Sequence, residues 1–427
     1  MQPQVAFMIR NYRLFRALRV LLALGRIFPR YLFLIWAEHL GFSNSQSRWD
    51  RVHLSAAQEI RRLANSLAGG FVKAAQIAGA RADVLPAPFI DELSEFHDDV
   101  TPRPFLTLKK QVEGDLGQSI EDVFCSFEMD PIGAASLAQV HRAQLHNGAW
   151  VAVKIQYPEI RTVMPLDLSS IRGVAKIIHV IQRRVDVRSL VVEVTRFIEM
   201  ELDFFLEVRS TQRLGKILSK DKNCQVPHVY EEFCGDRLIV LEFLDGIQIT
   251  HSQKWRAAGH TVSDIARRVG DLYGAMIFEY GFFHGDPHPG NLLVMPDGRI
   301  GLLDFGLCKE LPKGFARNVA EMFISAMIGD ADASLEAAQA LGFDATAIRA
   351  DHLRSLVLMM IGDSDNDQRL IELLGESHVR KVPEDFALVL RTLVLLNGLS
   401  HQLAPGRRLV QAELIQHLAI GASQSDE

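Results

Sequence analysis

Three polar residues stand close together in the stretch His284 to Gly306, HGDPHPGNLLVMPDGRIGLLDFG. Asp286 and Asn291 are five residues apart, and Asp304 opens an Asp-Phe-Gly triplet thirteen residues after Asn291. Phosphoryl transfer needs a carboxylate beside the attacking hydroxyl or water. It also needs hard oxygen ligands for a Mg²⁺ that bridges nucleotide phosphates. Asp286 could orient or deprotonate the acceptor, while Asn291 and Asp304 could hold the metal. A lone Asp-Phe-Gly says little, but the three-part spacing is specific. Two other readings are a polar loop capped by Asp and Asn, and a mononuclear metal site with His284, Asp286 and His288 as alternating strand ligands. Neither of them accounts for the residues upstream.

Those upstream residues follow a known order. The spacing of Asp286, Asn291 and Asp304 matches the catalytic loop and metal-binding triplet of protein kinases. Val-Ala-Val-Lys ends at Lys154, matching the strand whose lysine meets the α- and β-phosphates. About twenty residues earlier, where a Gly-rich loop would cover the nucleotide, stands Gly133-Ala134-Ala135-Ser136. Methyl groups there limit how closely backbone N–H groups approach phosphates. That predicts altered nucleotide preference or weaker transfer without loss of the fold. The segment MELDFFLEV carries Glu201, Asp203 and Glu207 on one expected helix. Glu201 is the expected partner of Lys154, with Glu207 about 120° further round the helix. Leu241 to Gly246, LEFLDG, with Glu242 and Leu244, occupies the place of an adenine-contacting hinge.

The surrounding pattern supplies elements to position these groups. Apolar periodicity predicts a helix over 56–82, a short one over 89–96 and a polar one over 106–114. Strands are expected over 127–132, 137–145, 150–156 and 238–243, with Asn147-Gly148 as a hairpin turn. Helices over 167–183 and 187–216 interrupt this β-rich part. Beyond Gly246 the pattern is helical apart from a hairpin at Pro296-Asp297-Gly298. The expected division is a basic segment 1–52, a helical extension 53–122, a β-rich lobe 123–245, a helical lobe 246–420 and a polar tail 421–427. The fold class is α+β: a bilobal, protein-kinase-like plan with a small β-rich N-lobe, a helical C-lobe and a helical N-terminal extension.

Composition is that of a globular chain of 427 residues, 48% hydrophobic and 23% charged. Net charge is −6, which gives no overall basic excess for nucleic acid. The four cysteines form no Cys-x-x-Cys pair, which fits a reduced, cytoplasmic chain. Residues 1–52 hold eight arginines against Glu38 and Asp50, a charge of +6, leaving −12 for the rest. Arg10, Arg13, Arg16 and Arg19 recur every third position among Leu14, Phe15, Leu18 and Leu21. On a helix this makes a basic stripe beside an apolar one, suited either to an anionic membrane surface or to the protein's own core. The longest uncharged run of its apolar part, Tyr31 to Ala37, is short of a bilayer span, so peripheral contact is expected and a transmembrane helix is not.

The motifs GAASLAQVHRA, VAVKIQ, ELDFFLE, LEFLDG, HGDPHPGN and DFG, in that order, resemble those of the UbiB/aarF-domain atypical kinases. With FVKAAQ upstream, the resemblance covers residues 56–311. That family carries a Lys-x-Gly-Gln motif, which Lys73-Ala74-Ala75-Gln76 resembles, with Ala75 in place of the glycine. The resemblance implies ATP and Mg²⁺ as cofactors. It also implies an active site gated by Lys73, Gln76 and Asp203. The expected role is as a membrane-associated ATPase or small-molecule kinase in ubiquinone or other isoprenoid-lipid metabolism. A lipid or quinone intermediate and a biosynthetic protein complex would be its partners. Gly285 replaces the arginine of His-Arg-Asp, and no Ala-Pro-Glu follows Gly306. A conventional protein kinase is therefore the less favoured reading, as is a non-catalytic, nucleotide-responsive scaffold.

Overall fold

The computed structural model describes residues 3–40, 46–67, 69–79, 85–93, 102–181, 187–344, 353–354, 357, 383–405 and 409–423. Residues 1–148, 152–202 and 234–238 form one compact unit, and residues 149–151, 203–233 and 239–427 a second.

The first unit opens with α1 (Pro3–His39), α2 (Gln46–Leu67), α3 (Gly70–Gly79), α4 (Ala87–Leu93), α5 (Phe105–Leu116) and α6 (Ile120–Val123). The single helix expected over 56–82 is two, and its residues 80–82 lie outside the described ones. Gly69 adopts φ 54°, and a Cβ on Gly70 would come 2.7 Å from Met164 Sδ. Only a glycine pair fits that corner. Val20, Ala64, Leu67, Phe71, Val72 and Ala75 bury together, fastening α1 and α2 to α3.

Four strands follow: β1 (Phe124–Phe127), β2 (Gly133–Ala134), β3 (Ala138–Leu145) and β4 (Trp150–Gln156, whose first two residues belong to the second unit). β1 and β2 both pair with β3 in antiparallel register. Gly148, at φ 87°, closes the turn after β3, in keeping with the Asn-Gly signal. On β4, Val153 and Ile155 are fully buried, and the period of two puts Lys154 on the opposite face. The unit continues through α7 (Ile160–Ile181) and α8 (Val187–Leu202).

The second unit contains α9 (Phe204–Ile217), β5 (Cys224–Gln225), β6 (Leu238–Glu242, whose first residue belongs to the first unit), β7 (Ile247–Gln248), α10 (Ser252–Ala257) and α11 (Val262–Gly274). A π-turn at Ala275–Glu279 leads to β8 (Phe282–His284), β9 (Leu292–Val294), β10 (Ile300–Leu302) and β11 (Cys308–Glu310). The remaining described helices are α12 (Phe315–Ile328), α13 (Ala331–Ala340), α14 (Glu384–Leu403) and α15 (Leu409–Ser423). Strands run β5-β10-β9-β7 in one sheet, and β11 pairs with β8 in another. The β9–β10 hairpin turns at Gly298, φ 82°, where Pro-Asp-Gly predicts it.

A helix unbroken over 187–216 is not observed. α8 ends at Leu202, and Asp203 (φ −87°, ψ 87°) caps α9, its side chain accepting the Leu206 N–H. Asp favours this because its short carboxylate satisfies an orphan donor of the new helix. Glu201 and Glu207 therefore stand on different helices, and the angular argument linking them does not apply.

The N-terminal arginines also differ from expectation. Arg16 is 4% exposed and paired with Asp167, so it is not part of a solvent-facing basic stripe. The side chain of Arg10 lies outside the described residues. Two helical stretches, Tyr12–His39 and Glu384–Leu403, are long and apolar enough to cross a membrane by length and composition.

Candidate active site

In the second unit, strand register gathers the three polar residues. Leu302 pairs with Leu292 across the β9–β10 hairpin, and beyond it the Leu303 N–H donates to the Asn291 carbonyl (2.9 Å). This sets Asn291 beside the entry to the Asp-Phe-Gly triplet. Cys308 pairs with His284 on β8–β11, and the Gly285 N–H donates to the Leu307 carbonyl (2.7 Å), binding β8 to the strand after the triplet. Asn291 Nδ2 donates to the Asp286 carbonyl (3.2 Å) and to Asp286 Oδ2 (3.1 Å). With its nitrogen so engaged, Asn291 has only its side-chain oxygen to offer a cation, and an oxygen is the ligand Mg²⁺ takes. Asp304 is the one non-glycine with positive φ (57°) among the described residues. Strain of that kind concentrates at functional sites. Its Oδ1 accepts the Gly306 N–H at 3.3 Å.

His284 is fully buried and closes the back of the loop. Its Nε2 lies 3.1 Å from the Leu303 carbonyl and 2.8 Å from that of Asp304. Carbonyls only accept, so Nε2 carries the hydrogen. Its Nδ1 meets the Tyr273 hydroxyl at 3.0 Å, and burial holds that phenol well above its usual range, with the Asp286 charge adding to the effect. Both ring nitrogens are thus committed, and His288 Nδ1 accepts the Gly290 N–H. The mononuclear metal reading of His284, Asp286 and His288 does not hold. Among the described residues, no group of three His, Cys, Asp or Glu could hold a metal ion.

Two further residues belong here. Glu207 on α9 is 2% exposed, and a Cβ placed on Gly306 would stand 3.9 Å from its Oε2. Arg391 on α14 reaches Asp286 Oδ1 at 2.9 Å, and its neighbour Thr392 donates to the Gly285 carbonyl (3.3 Å). Sequence reasoning missed Arg391 because α14 shows only apolar periodicity around it. The absent arginine at Gly285 was the available hint that a cation had to come from elsewhere. Cys308 is buried, which pushes its thiol up, as do the Glu207 and Asp304 carboxylates. Glu242 accepts the His228 N–H (3.1 Å) and Gln225 Nε2 (3.3 Å), and the Leu244 side chain is buried against Gly301. Asp203 serves as the α9 cap, with Arg209 at 3.9 Å.

In the first unit, Lys73 Nζ meets Glu201 Oε1 at 2.8 Å, joining α3 to the end of α8. One oxygen of Glu201, the expected partner of Lys154, is thus within ion-pair distance of the Lys-x-x-Gln helix. Gln156, two residues beyond Lys154 on β4, donates from Nε2 to the Leu202 carbonyl at 3.2 Å, tying the end of α8 to the lysine's strand. Lys73 and Gln76 are half-buried, while Ala75 between them is 4% exposed and packs inward. The loop Gly133–Ser136 turns on an Ala135 N–H to Ala138 carbonyl bond (2.8 Å). Ser136 is 4% exposed, and its buried Oγ has no hydrogen-bond partner. An orphaned hydroxyl in this loop fits a missing polar ligand.

The sequence matches the profile of the ABC1 atypical kinase-like domain over residues 95–338. The chain belongs to that family. It is 30% identical over 411 residues to Activity of BC1 Complex Kinase 3, chloroplastic, of Arabidopsis thaliana, covering 93% of this chain and 56% of that protein. It is 34% identical over 299 residues to AarF domain-containing protein kinase 1 of Gallus gallus, covering 69% and 57%. The chain therefore matches little more than half the length of these two relatives. Among solved structures, the Rv3197–erythromycin complex from Mycobacterium tuberculosis superposes with a TM-score of 0.62 at 23% identity, covering 87% of this chain and 97% of that one. This ABC1-family chain accordingly has a kinase-like α+β fold.

Proposed function

We propose that this protein is an atypical kinase or ATPase that binds ATP with Mg²⁺ and supports ubiquinone or other isoprenoid-lipid metabolism at a membrane surface. The observation that carries the reading is the convergence of Asp286, Asn291 and Asp304 through the β9–β10 hairpin and the β8–β11 pair. Asn291 and Asp304 would hold the metal, and Lys154 the phosphates. Mg²⁺ held there would neutralise negative charge on the phosphate oxygens of the nucleotide. Asp286 orients the acceptor hydroxyl or water and takes its proton. Its carboxylate is fixed for that task by Arg391 on Oδ1 and Asn291 on Oδ2. Glu207 stands beside the Asp-Phe-Gly triplet as the buried acid of the site. The loop Gly133–Ser136 covers the nucleotide, with Glu242 and Leu244 in the adenine-binding segment. Lys73, Gln76 and Asp203 would regulate access.

The acceptor is water or a small lipid-like molecule in preference to a protein. Only four residues separate β11, after the triplet, from α12. A kinase activation segment that docks peptides has no room there. The association is peripheral, through the segment 1–52. The test is nucleotide binding and phosphate release by wild type, Lys154→Ala and Asp304→Asn, with and without vesicles, alongside γ-phosphate transfer to added proteins. Turnover that is lost in both variants supports the reading. Wild type without turnover above background points to a nucleotide-responsive scaffold, and transfer to added protein points to a conventional kinase.

A further inference from the structure

We infer that His417 on α15 is a positioning residue for the catalytic loop, acting by its grip on the π-turn at Ala275–Glu279 that feeds β8. His417 is 13% exposed, and its Nδ1 lies 2.7 Å from Glu279 Oε1. An ionised carboxylate only accepts, so Nδ1 carries the hydrogen. Its Nε2 stands 3.6 Å from Asp271 Oδ1, beyond hydrogen-bond reach. Asp271 is also engaged by Arg267 at 3.3 Å, and it crowds Glu413, whose carboxyl is pushed up by burial and then by the Asp271 charge. Glu279, the last residue of the π-turn, is therefore the group that His417 holds by a hydrogen bond.

The π-turn is what brings Glu279 there. On a regular α-helix, eight residues of rotation from Asp271 would leave Glu279 about 80° off the Asp271 face. The extra residue of a π-turn takes up about 100°, which returns Glu279 to nearly the same face. α15 runs along that face in parallel register, with contacts four residues apart on both elements. A Cβ on Gly270 would stand 2.7 Å from Glu413 Cβ, one on Gly274 would collide with the His417 ring, and one on Gly421 would stand 3.1 Å from Phe278 Cβ. Neither element can slide along the other without driving side chains into these gaps. The grip reaches the catalytic loop by two routes. Gly281, between the π-turn and β8, is pinned by the Leu311 N–H donating to its carbonyl (2.8 Å), and β8 runs directly into Gly285 and Asp286. Tyr273, next to Gly274, meets His284 Nδ1 at 3.0 Å. The inference rests on the reading of Asp286 as the residue that orients the acceptor.

The test compares His417→Asn, His417→Gln and His417→Ala in the full chain. The Asn amide nitrogen falls near the place of Nδ1 and still reaches Glu279, whereas the Gln amide nitrogen falls near that of Nε2 and does not. Hydrogen exchange at the Gly285 amide and phosphate-release kinetics are read beside Tm. His417→Asn should behave as wild type. His417→Gln and His417→Ala should speed exchange at Gly285 and lower kcat about tenfold, the scale of a small misplacement of a reacting group, with nucleotide KM little changed. Glu279→Ala, at a position 26% exposed, leaves the glycine contacts of α15 in place and should reproduce the His417→Gln result. Exchange and kcat that merely track Tm across the series, or His417→Gln indistinguishable from His417→Asn, overturn the inference, because packing alone then accounts for α15. Wild type without turnover overturns the phosphoryl-transfer reading instead, and exchange at Gly285 then decides the positioning by itself.

Discussion

Arg391 Nη2 lies 2.9 Å from Asp286 Oδ1, although 105 positions separate the two residues. A helix distant in sequence thus sets a guanidinium against Asp286, next to Gly285, where the His-Arg-Asp pattern would have an arginine. The opposite oxygen of Asp286 accepts from Asn291, so two donors fix the plane of the carboxylate. Removing one of them leaves the aspartate present but misaligned. Arg391→Ala should lower phosphate-release kcat by roughly ten- to a hundredfold, the scale of a small misplacement of a reacting group, with little change in nucleotide Kd. Arg391→Lys should recover part of the rate. Steady-state kinetics beside nucleotide titration check this.

Restoring an arginine at Gly285 should not rescue Arg391→Ala. A Cβ on Gly285 would sit 2.9 Å from the Leu307 carbonyl oxygen and 3.4 Å from Leu388. Gly285→Ala alone should cost about 1–3 kcal/mol by overpacking, read by urea denaturation. The β8–β11 pairing leaves that backbone oxygen no room to retreat.

Gly133→Ala is the opposite case. A Cβ there meets nothing within 4 Å. Stability should stay within about 0.5 kcal/mol of wild type. The added methyl should shift relative affinity for ATP and ADP, measured by calorimetric titration of each.

The Lys73–Glu201 pair, 23% and 26% exposed, should show a coupling energy near 0.5–1 kcal/mol in a double-mutant cycle. Lys73→Met and Glu201→Gln should change nucleotide turnover in the same direction, since each releases α3 from α8. Turnover that moves in opposite directions would separate the two residues functionally.

Burial pushes Asp167 up to about 6, against the opposing pull of Arg16 and the Gly70 N–H. The folded chain then holds a proton between pH 4 and 6, roughly, that the unfolded chain has released. This carboxyl favours folding most at the acid end, and its contribution falls as pH rises through 6. Wild-type stability relative to Asp167→Asn should therefore decline from pH 4.5 to 7.5, by at most about 3 kcal/mol. Denaturant titrations at several pH values read the slope.

Sequence patterning was most informative where chemistry and turn geometry coincide. Asp286, Asn291, Asp304 and the Pro-Asp-Gly turn are local signals, and β4 runs over Trp150–Gln156 as the alternation requires. Partners distant in sequence were not legible. Asp167 is 151 residues from Arg16 and Asp286 is 105 from Arg391. Evenly spaced arginines on α1 looked alike, although burial had already chosen Arg16. The break at Asp203 was hidden because helical periodicity continues through it, and only the cap geometry separates Glu201 from Glu207.

In the proposed function, Asn291 and Asp304 bring Mg²⁺ to a bound nucleotide. Calorimetric titration of ATP into wild type, Asn291→Ala and Asp304→Asn, with and without Mg²⁺, tests it most directly. Mg²⁺ should strengthen ATP binding to wild type at least tenfold, worth about 1.4 kcal/mol, and both variants should lose this dependence. ATP binding to wild type that is absent, or indifferent to Mg²⁺, would contradict it.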